Sequence, residues 1–171
     1  WKPDTTELMG VYLIAKRDWD ECAKLGEPAV KPLAEALDRQ QEYILELWDS
    51  FGGSLMPSPP LWDENHEILE AIVSTLGKTG AAGAVNPLIN TFRNYSELTH
   101  ELHEYAVAAL ENIGESATGK LVELLSARES TARGCAARVL SELGWKPESD
   151  RLRTDFLLAE EKWDELVIMG E

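Results

Sequence analysis

The chain has 171 residues, 44% hydrophobic and 27% charged, which suits one domain or one continuous array with a sizeable core and excludes a disordered polyanion. Its formal net charge of −15, from 31 acidic and 16 basic residues, repels phosphate backbones and anionic lipid surfaces. Nucleic acid and membrane are therefore disfavoured as partners and a basic protein or peptide is favoured, although the same charge also serves plain solubility.

No apolar run approaches the roughly 20 residues of a membrane span. The opening Trp1-Lys2-Pro3-Asp4 is no signal peptide and carries no initiator Met, so a fragment or processed product is expected. Cys22 and Cys135 are the only cysteines and form no disulfide framework, which points to a reducing cytoplasm.

Residues 1–27 return at 145–171. Without gaps, 11 of 27 positions are identical, against about one or two expected from ordinary composition. The shared residues include Trp1/Trp145, Pro3/Pro147, Leu8/Leu152, Ala15/Ala159, Trp19/Trp163 and Gly26/Gly170. Leu8, Tyr12, Ala15 and Trp19 fall at i, i+4, i+7 and i+11, so one apolar stripe on one helix is predicted for each copy. Cys22 aligns with Leu166, which makes that thiol a packing group. The recurring tryptophans read as structural for the same reason.

Residues 28–62 hold a first short helix, Ala29-Val30-Lys31-Pro32-Leu33 with Leu37, and an irregular insertion. Asp38 to Phe51 prolong that helix, with Tyr43, Leu47 and Phe51 one above another. The proline density of Gly52 to Pro60 demands a loop, and Asp63 is the expected cap of the next helix. Trp48 and Trp62 flank this loop with Leu55 and Met56, either as an interface anchor or as satellite core.

From 63 to 144 the chain repeats a shorter unit. Apolar segments close at Gly80, Gly114 and Gly144, spaced 34 and 30 residues apart, and each glycine can supply the left-handed conformation that stops a helix. A second helix follows each of the first two: Ala84-Val85-Asn86-Pro87-Leu88 with Phe92, then Ala117 to Leu121 with Leu125. Pro87, like Pro32, fits near a helix start. The unit is helix A, glycine turn, helix B. Ala106 to Ala109 and Ala136-Ala137 make helix A small enough for close packing. No strand alternation is seen, so the class is all-α, and such hairpins must stack to bury their apolar faces.

The pattern LGxxG followed by AVxPLxxxL resembles the HEAT-like repeats of the phycobilisome-lyase type. Arg133, Ala136, Ala137, Leu140 and Gly144 match that repeat's helix A. LGWKP with AxxxWDELxxxGE downstream is similar to a linker module found between such repeats in prokaryotic proteins. The resemblance implies a right-handed α-solenoid of about four hairpins spanning 1–171, with 1–27 and 145–171 as homologous linker modules and 63–144 as regular repeats. It further implies an adaptor or scaffold that binds protein, a segment of a longer array. Glu111, Ser141, His103 and Gly119-Lys120 depart from the pattern. Concave faces of such stacks are lined by B helices, so Lys31, Glu35, Asn86, Asn90, Arg93 and Glu123 are the expected partner contacts, with Trp48 and Trp62 at the insertion.

Chemistry has one candidate. His66-Glu67, His100-Glu101 and His103-Glu104 lie near helix starts, and His100 and His103 share a face. A likeness to deoxyhypusine hydroxylase, a HEAT-repeat enzyme with two irons on His-Glu pairs, would make His66, His100 and His103 metal ligands. The spacing departs from it: His103 lies seven residues before Leu110, His66 ten before Leu76, and 131–144 has no histidine. A chromophore-lyase role would need a bilin pocket, which no residue pattern marks. There is no GxSxG, P-loop or GxGxxG. Cys135, among Ala136, Ala137 and Val139, reads as core. The expectation is a non-enzymatic scaffold without cofactor or metal.

Overall fold

The computed structural model describes residues 3–50, 59–93 and 102–169, with the side chains of 59–62 and 93 left out of description. Every described element is helical, and among the described residues no helix is long and apolar enough to cross a membrane. The chain divides into two compact units, Trp1–Ala84 and Val85–Glu171.

The first unit opens with α1 (Thr6–Ala15) and α2 (Trp19–Ala23). It continues with α3 (Glu27–Ser50), α4 (Pro59–Lys78) and a 3₁₀ turn, Ala82–Ala84. The long α3 is the spine: α1 packs on it from one side and α4 from another, while α2 packs on α4. Leu33, Leu37 and Ile44 of α3 and Leu69, Ile72, Val73 and Leu76 of α4 are buried in this unit. Each such fully buried aliphatic side chain contributes roughly 1.5–3 kcal/mol. Gln40 Nε2 donates to Asn65 Oδ1 at 2.6 Å and ties α3 to α4 beside this core.

The second unit holds α5 (Val85–Arg93), α6 (Leu102–Ile113) and a 3₁₀ turn, Gly114–Ala117. After them come α7 (Thr118–Leu124), α8 (Ser130–Glu142), α9 (Asp150–Ala159) and α10 (Trp163–Met169). Helix α8 is central, touching α5, α6, α7 and α9. Ala106 and Ala109 of α6 and Ala132, Ala136 and Ala137 of α8 are buried, and their small side chains permit the close approach that the composition predicted; Ala108 faces out. Arg133 donates to the Ala127 and Arg128 carbonyls, both at 2.9 Å, and closes the turn between α7 and α8.

The three predicted glycine stops are present. Gly80, Gly114 and Gly144 have φ of +62°, +72° and +67°, and Gly26 has +64°. The first helix of each module and the turn after it also coincide, offset by 144: α1 spans Thr6–Ala15 and α9 Asp150–Ala159. Thr5 caps α1 by accepting from Leu8 N at 3.2 Å, and Ser149 caps α9 by accepting from Leu152 N at 3.3 Å. At the other end, Asp18 N donates to Leu13 O and Lys162 N to Leu157 O, each at 2.9 Å. Arg17 and Glu161 occupy the same left-handed turn position, both at φ +57°.

Three expectations are corrected. The stripe Leu8, Tyr12, Ala15, Trp19 does not run along one helix. The chain turns at Arg17, so Trp19 opens α2; Leu8 and Ala15 are exposed, and the buried side of α1 is Gly10 and Leu13. Asp63 does not cap α4, which already begins at Pro59, where a helix start tolerates the missing donor. Pro32 lies inside α3, because that helix starts at Glu27 and not at Ala29. Helix α3 does extend through Trp48, as predicted, but Tyr43 is exposed and Leu47 half-buried. Phe51, Leu55 and Met56 lie outside the described residues.

Candidate functional site

A broad concavity lies in the first unit, between α2 and α4. It is an open cleft of about 610 Å³ walled by Asp18, Trp19 and Asp20 on one side and by Glu67, Glu70, Ser74 and Thr75 on the other. Local chemistry builds it. The left-handed turn at Arg17 swings Trp19 out of line with α1, and α4 presents positions 67, 70, 71, 74, 75 and 78 along one helical face. Two ion pairs hold α4 to the module. Arg17 Nη2 lies 2.8 Å from Glu64 Oε1, and Lys78 Nζ lies 3.2 Å from Asp20 Oδ1.

Four carboxylates, Asp18, Asp20, Glu67 and Glu70, and two cations, Arg17 and Lys78, thus line one cleft. Behind it is a smaller crevice of about 200 Å³, where Trp19 meets Ile14, Ile68 and Ile72. Trp19 lines both spaces; the smaller one sets Arg17, Arg39 and Gln40 beside its aliphatic residues. Such a wall can take the apolar stem and charged head of a lysine or arginine side chain.

The residues expected from the B helices are partly brought together. Asn86 and Asn90 of α5 and Glu123 of α7 line a second cleft of about 190 Å³ with Ile89, Lys120 and Leu124. Lys120 Nζ sits 3.0 Å from Glu123 Oε2 there. Lys31 and Glu35 stand exposed on α3 in the first unit. Lys31 is engaged within the chain: its Nζ is 2.7 Å from Glu7 Oε1, and this hydrogen bond raises its pKa, with the Glu7 and Glu35 charges adding to the effect. Trp48 is half-buried on α3; the side chains of Trp62 and Arg93 lie outside the described residues.

Of the metal candidates, His100 lies outside the described residues and His66 is half-buried on α4. His103 is in the core of the second unit. Its Nε2–H donates to the Thr91 carbonyl at 3.1 Å, and its ring meets Phe92 edge-on at 6.1 Å between centroids. That carbonyl belongs to α5, so His103 ties α6 to the helix before it. Among the described residues no group of three or more His, Cys, Asp or Glu is arranged to hold a metal ion.

Both thiols are held in their neutral form. Cys22 is fully buried; burial chiefly, and the Asp18 charge after it, raise its pKa. Cys135 is pushed up to about 11 by burial.

The Trp19 cleft is not among the sites expected from the sequence, since carboxylates abound in so acidic a chain. The signal available was the polar stripe of α4, Glu67, Glu70, Ser74 and Lys78 at helical spacing, opposite Asp18-Trp19-Asp20. Comparison with protein-family models, with curated proteins and with solved structures finds no match to this chain.

Proposed function

We propose that this chain is a HEAT-like repeat scaffold of the phycobilisome-lyase repeat type, a right-handed solenoid that binds a basic protein or peptide and performs no reaction of its own. The repeated hairpin with a left-handed glycine at each turn supports the repeat reading. The observation that carries the binding reading is the Trp19 cleft. It offers an aromatic wall with four carboxylates around it against two cations, Arg17 and Lys78, the latter paired with Asp20, on a chain whose formal net charge is −15. A lysine- or arginine-bearing segment gains there both stacking on Trp19 and neutralisation of acid. The Asn86, Asn90 and Glu123 cleft is a second contact surface in this reading.

Titration with a lysine- and arginine-rich synthetic peptide tests it. Affinity should fall as salt rises, and the pair Glu67→Lys with Glu70→Lys should weaken binding by about tenfold or more. Trp19→Ala separates a built cleft from diffuse attraction to an acidic surface. Affinity unchanged by Trp19→Ala and by the charge reversals would sink the proposal.

A further inference from the structure

The crevice behind Trp19 differs chemically from the cleft in front of it. Four consecutive helices wall it: α1 contributes Ile14, α2 Trp19, α3 Ala36 and Arg39, and α4 Ile68 and Ile72. Arg17, in the turn between α1 and α2, and Gln40 complete the lining. Among the described residues that line it none is acidic, in a chain with 31 acidic residues against 16 basic ones. The local charge is therefore the reverse of the chain's. An apolar lining with two guanidinium groups takes an anion that carries an aliphatic body.

The polar side chains are already steadied by the fold and keep capacity to spare. Arg39 is exposed, and its Nε donates to the Glu35 carbonyl one turn back at 3.0 Å, which leaves the Nη donors for another acceptor. Among the described residues no carboxylate pairs with Arg39. Arg17 gives Nη2 to Glu64 and keeps further donors. The turn itself does not demand a cation there, since Glu161 holds the same conformation at φ +57°. Gln40 donates from Nε2 to Asn65, and its Oε1 remains an acceptor.

Size narrows the occupant. A space of about 200 Å³ lies below the roughly 300–1,000 Å³ of ordinary small-molecule pockets, and suits one residue of a longer ligand. An Asp or Glu side chain brings a carboxylate without an aliphatic group. An aliphatic residue at a chain end brings both from one Cα.

We propose that this crevice binds the C-terminal residue of a partner protein, an aliphatic one. Its carboxylate meets Arg39 and Arg17, and its side chain lies against Trp19, Ile68 and Ile72. The inference deepens the basic-peptide reading and rests on it for one feature: Trp19 is shared with the acidic cleft, so the basic residue comes shortly before that terminus.

Two N-terminally labelled hexapeptides, Gly-Ser-Lys-Arg-Ser-Leu with a free carboxylate and the same sequence as its amide, test it by anisotropy against the whole chain. The acid should bind at least about tenfold tighter. Diffuse attraction to a chain of net charge −15 predicts the opposite order, because amidation makes the peptide more basic. Arg39→Ala should erase the preference, while Arg128→Ala, an equal loss of charge at an exposed site in the second unit, should leave it. Equal affinity of acid and amide overturns the proposal, as does tighter binding of the amide, or a preference that survives Arg39→Ala or falls equally in Arg128→Ala. Displacement of the peptide by acetyl-leucine at equal concentration also overturns it, giving the crevice to a small carboxylate. Basic peptides that bind without preferring the acid leave the acidic cleft standing and sink only this inference. A preference lost in Arg39→Ala, with affinity indifferent to Glu67→Lys and Glu70→Lys, upholds the crevice and sinks the cleft. No binding of either peptide sinks both.

Discussion

Arg138 of α8 grips Glu104 of α6 with both guanidinium nitrogens, Nη1 at 2.7 Å from Oε1 and Nη2 at 2.5 Å from Oε2. The pair joins two helices that both bury alanines, Ala106 and Ala109 of α6 and Ala132, Ala136 and Ala137 of α8. Both side chains are about half exposed, so screening keeps the contribution to roughly 0.5–1 kcal/mol despite the bidentate geometry. Arg138→Ala should destabilise by that amount in urea at low salt, and the loss should shrink in about 1 M salt.

Arg138 also faces a local excess of acid. Burial chiefly, then the Glu142 charge, raise the pKa of Glu111, and Arg138 opposes them only in part. A carboxyl with a raised folded pKa contributes stability at low pH that is lost as pH rises through that value. Glu111→Gln should therefore stabilise the chain at neutral pH, by a few tenths of a kcal/mol, and do nothing measurable at acidic pH. Paired thermal melts at the two pH values check it.

Gly10 is small because Pro32 is close: a Cβ on Gly10 would lie 3.3 Å from Pro32 Cγ. Gly10→Thr installs the residue of the second module at the first. A branched side chain against a rigid ring should cost about 2 kcal/mol, within the usual range for overpacking. The reverse exchange, Thr154→Gly, removes no such crowding and should cost only about 0.5 kcal/mol from helix propensity. Urea midpoints of the two variants should separate accordingly.

His103 behaves as a core residue with one polar duty. His103→Ala should destabilise by about 2–4 kcal/mol, combining a cavity with loss of the hydrogen bond to the Thr91 carbonyl. His103→Leu restores most of the volume but not the donor and should recover part of the loss. Equilibrium unfolding distinguishes the two, and metal content measured on each should be unchanged from the parent chain.

Cys135 should resist alkylation. With its pKa at about 11 against an ordinary 9.0, its thiolate fraction at pH 8 is about 100-fold lower than in the unfolded chain. Iodoacetamide labelling of the native protein should still accelerate above pH 10, where an unfolded thiol has levelled off. Folding stability should fall as pH rises between those two values, because the unfolded chain releases that proton first.

Much of this fold is legible residue by residue. Gly80, Gly114 and Gly144 announce their turns because few other residues accept positive φ, and the 144-residue echo announces a shared module that the Thr5 and Ser149 caps then make physical. The turn between α1 and α2 was hidden, because Arg17 and Glu161 take the left-handed conformation without glycine and leave no compositional trace. The Trp19 cleft was hidden because a carboxylate that lines a binding site and one that only keeps a chain soluble look the same in sequence. The burial of His103 was not legible, because it is decided by α5, an element before it in the chain.

The duplicated module makes this polypeptide its own control. Any substitution at 5–25 has a counterpart 144 positions on, in the same sample and at the same concentration and pH. A change that acts through intrinsic helix or turn preference must have equal effects at both ends. A change that acts through neighbours must not. The ratio of the two responses reads the influence of surroundings directly, without reference to any second protein.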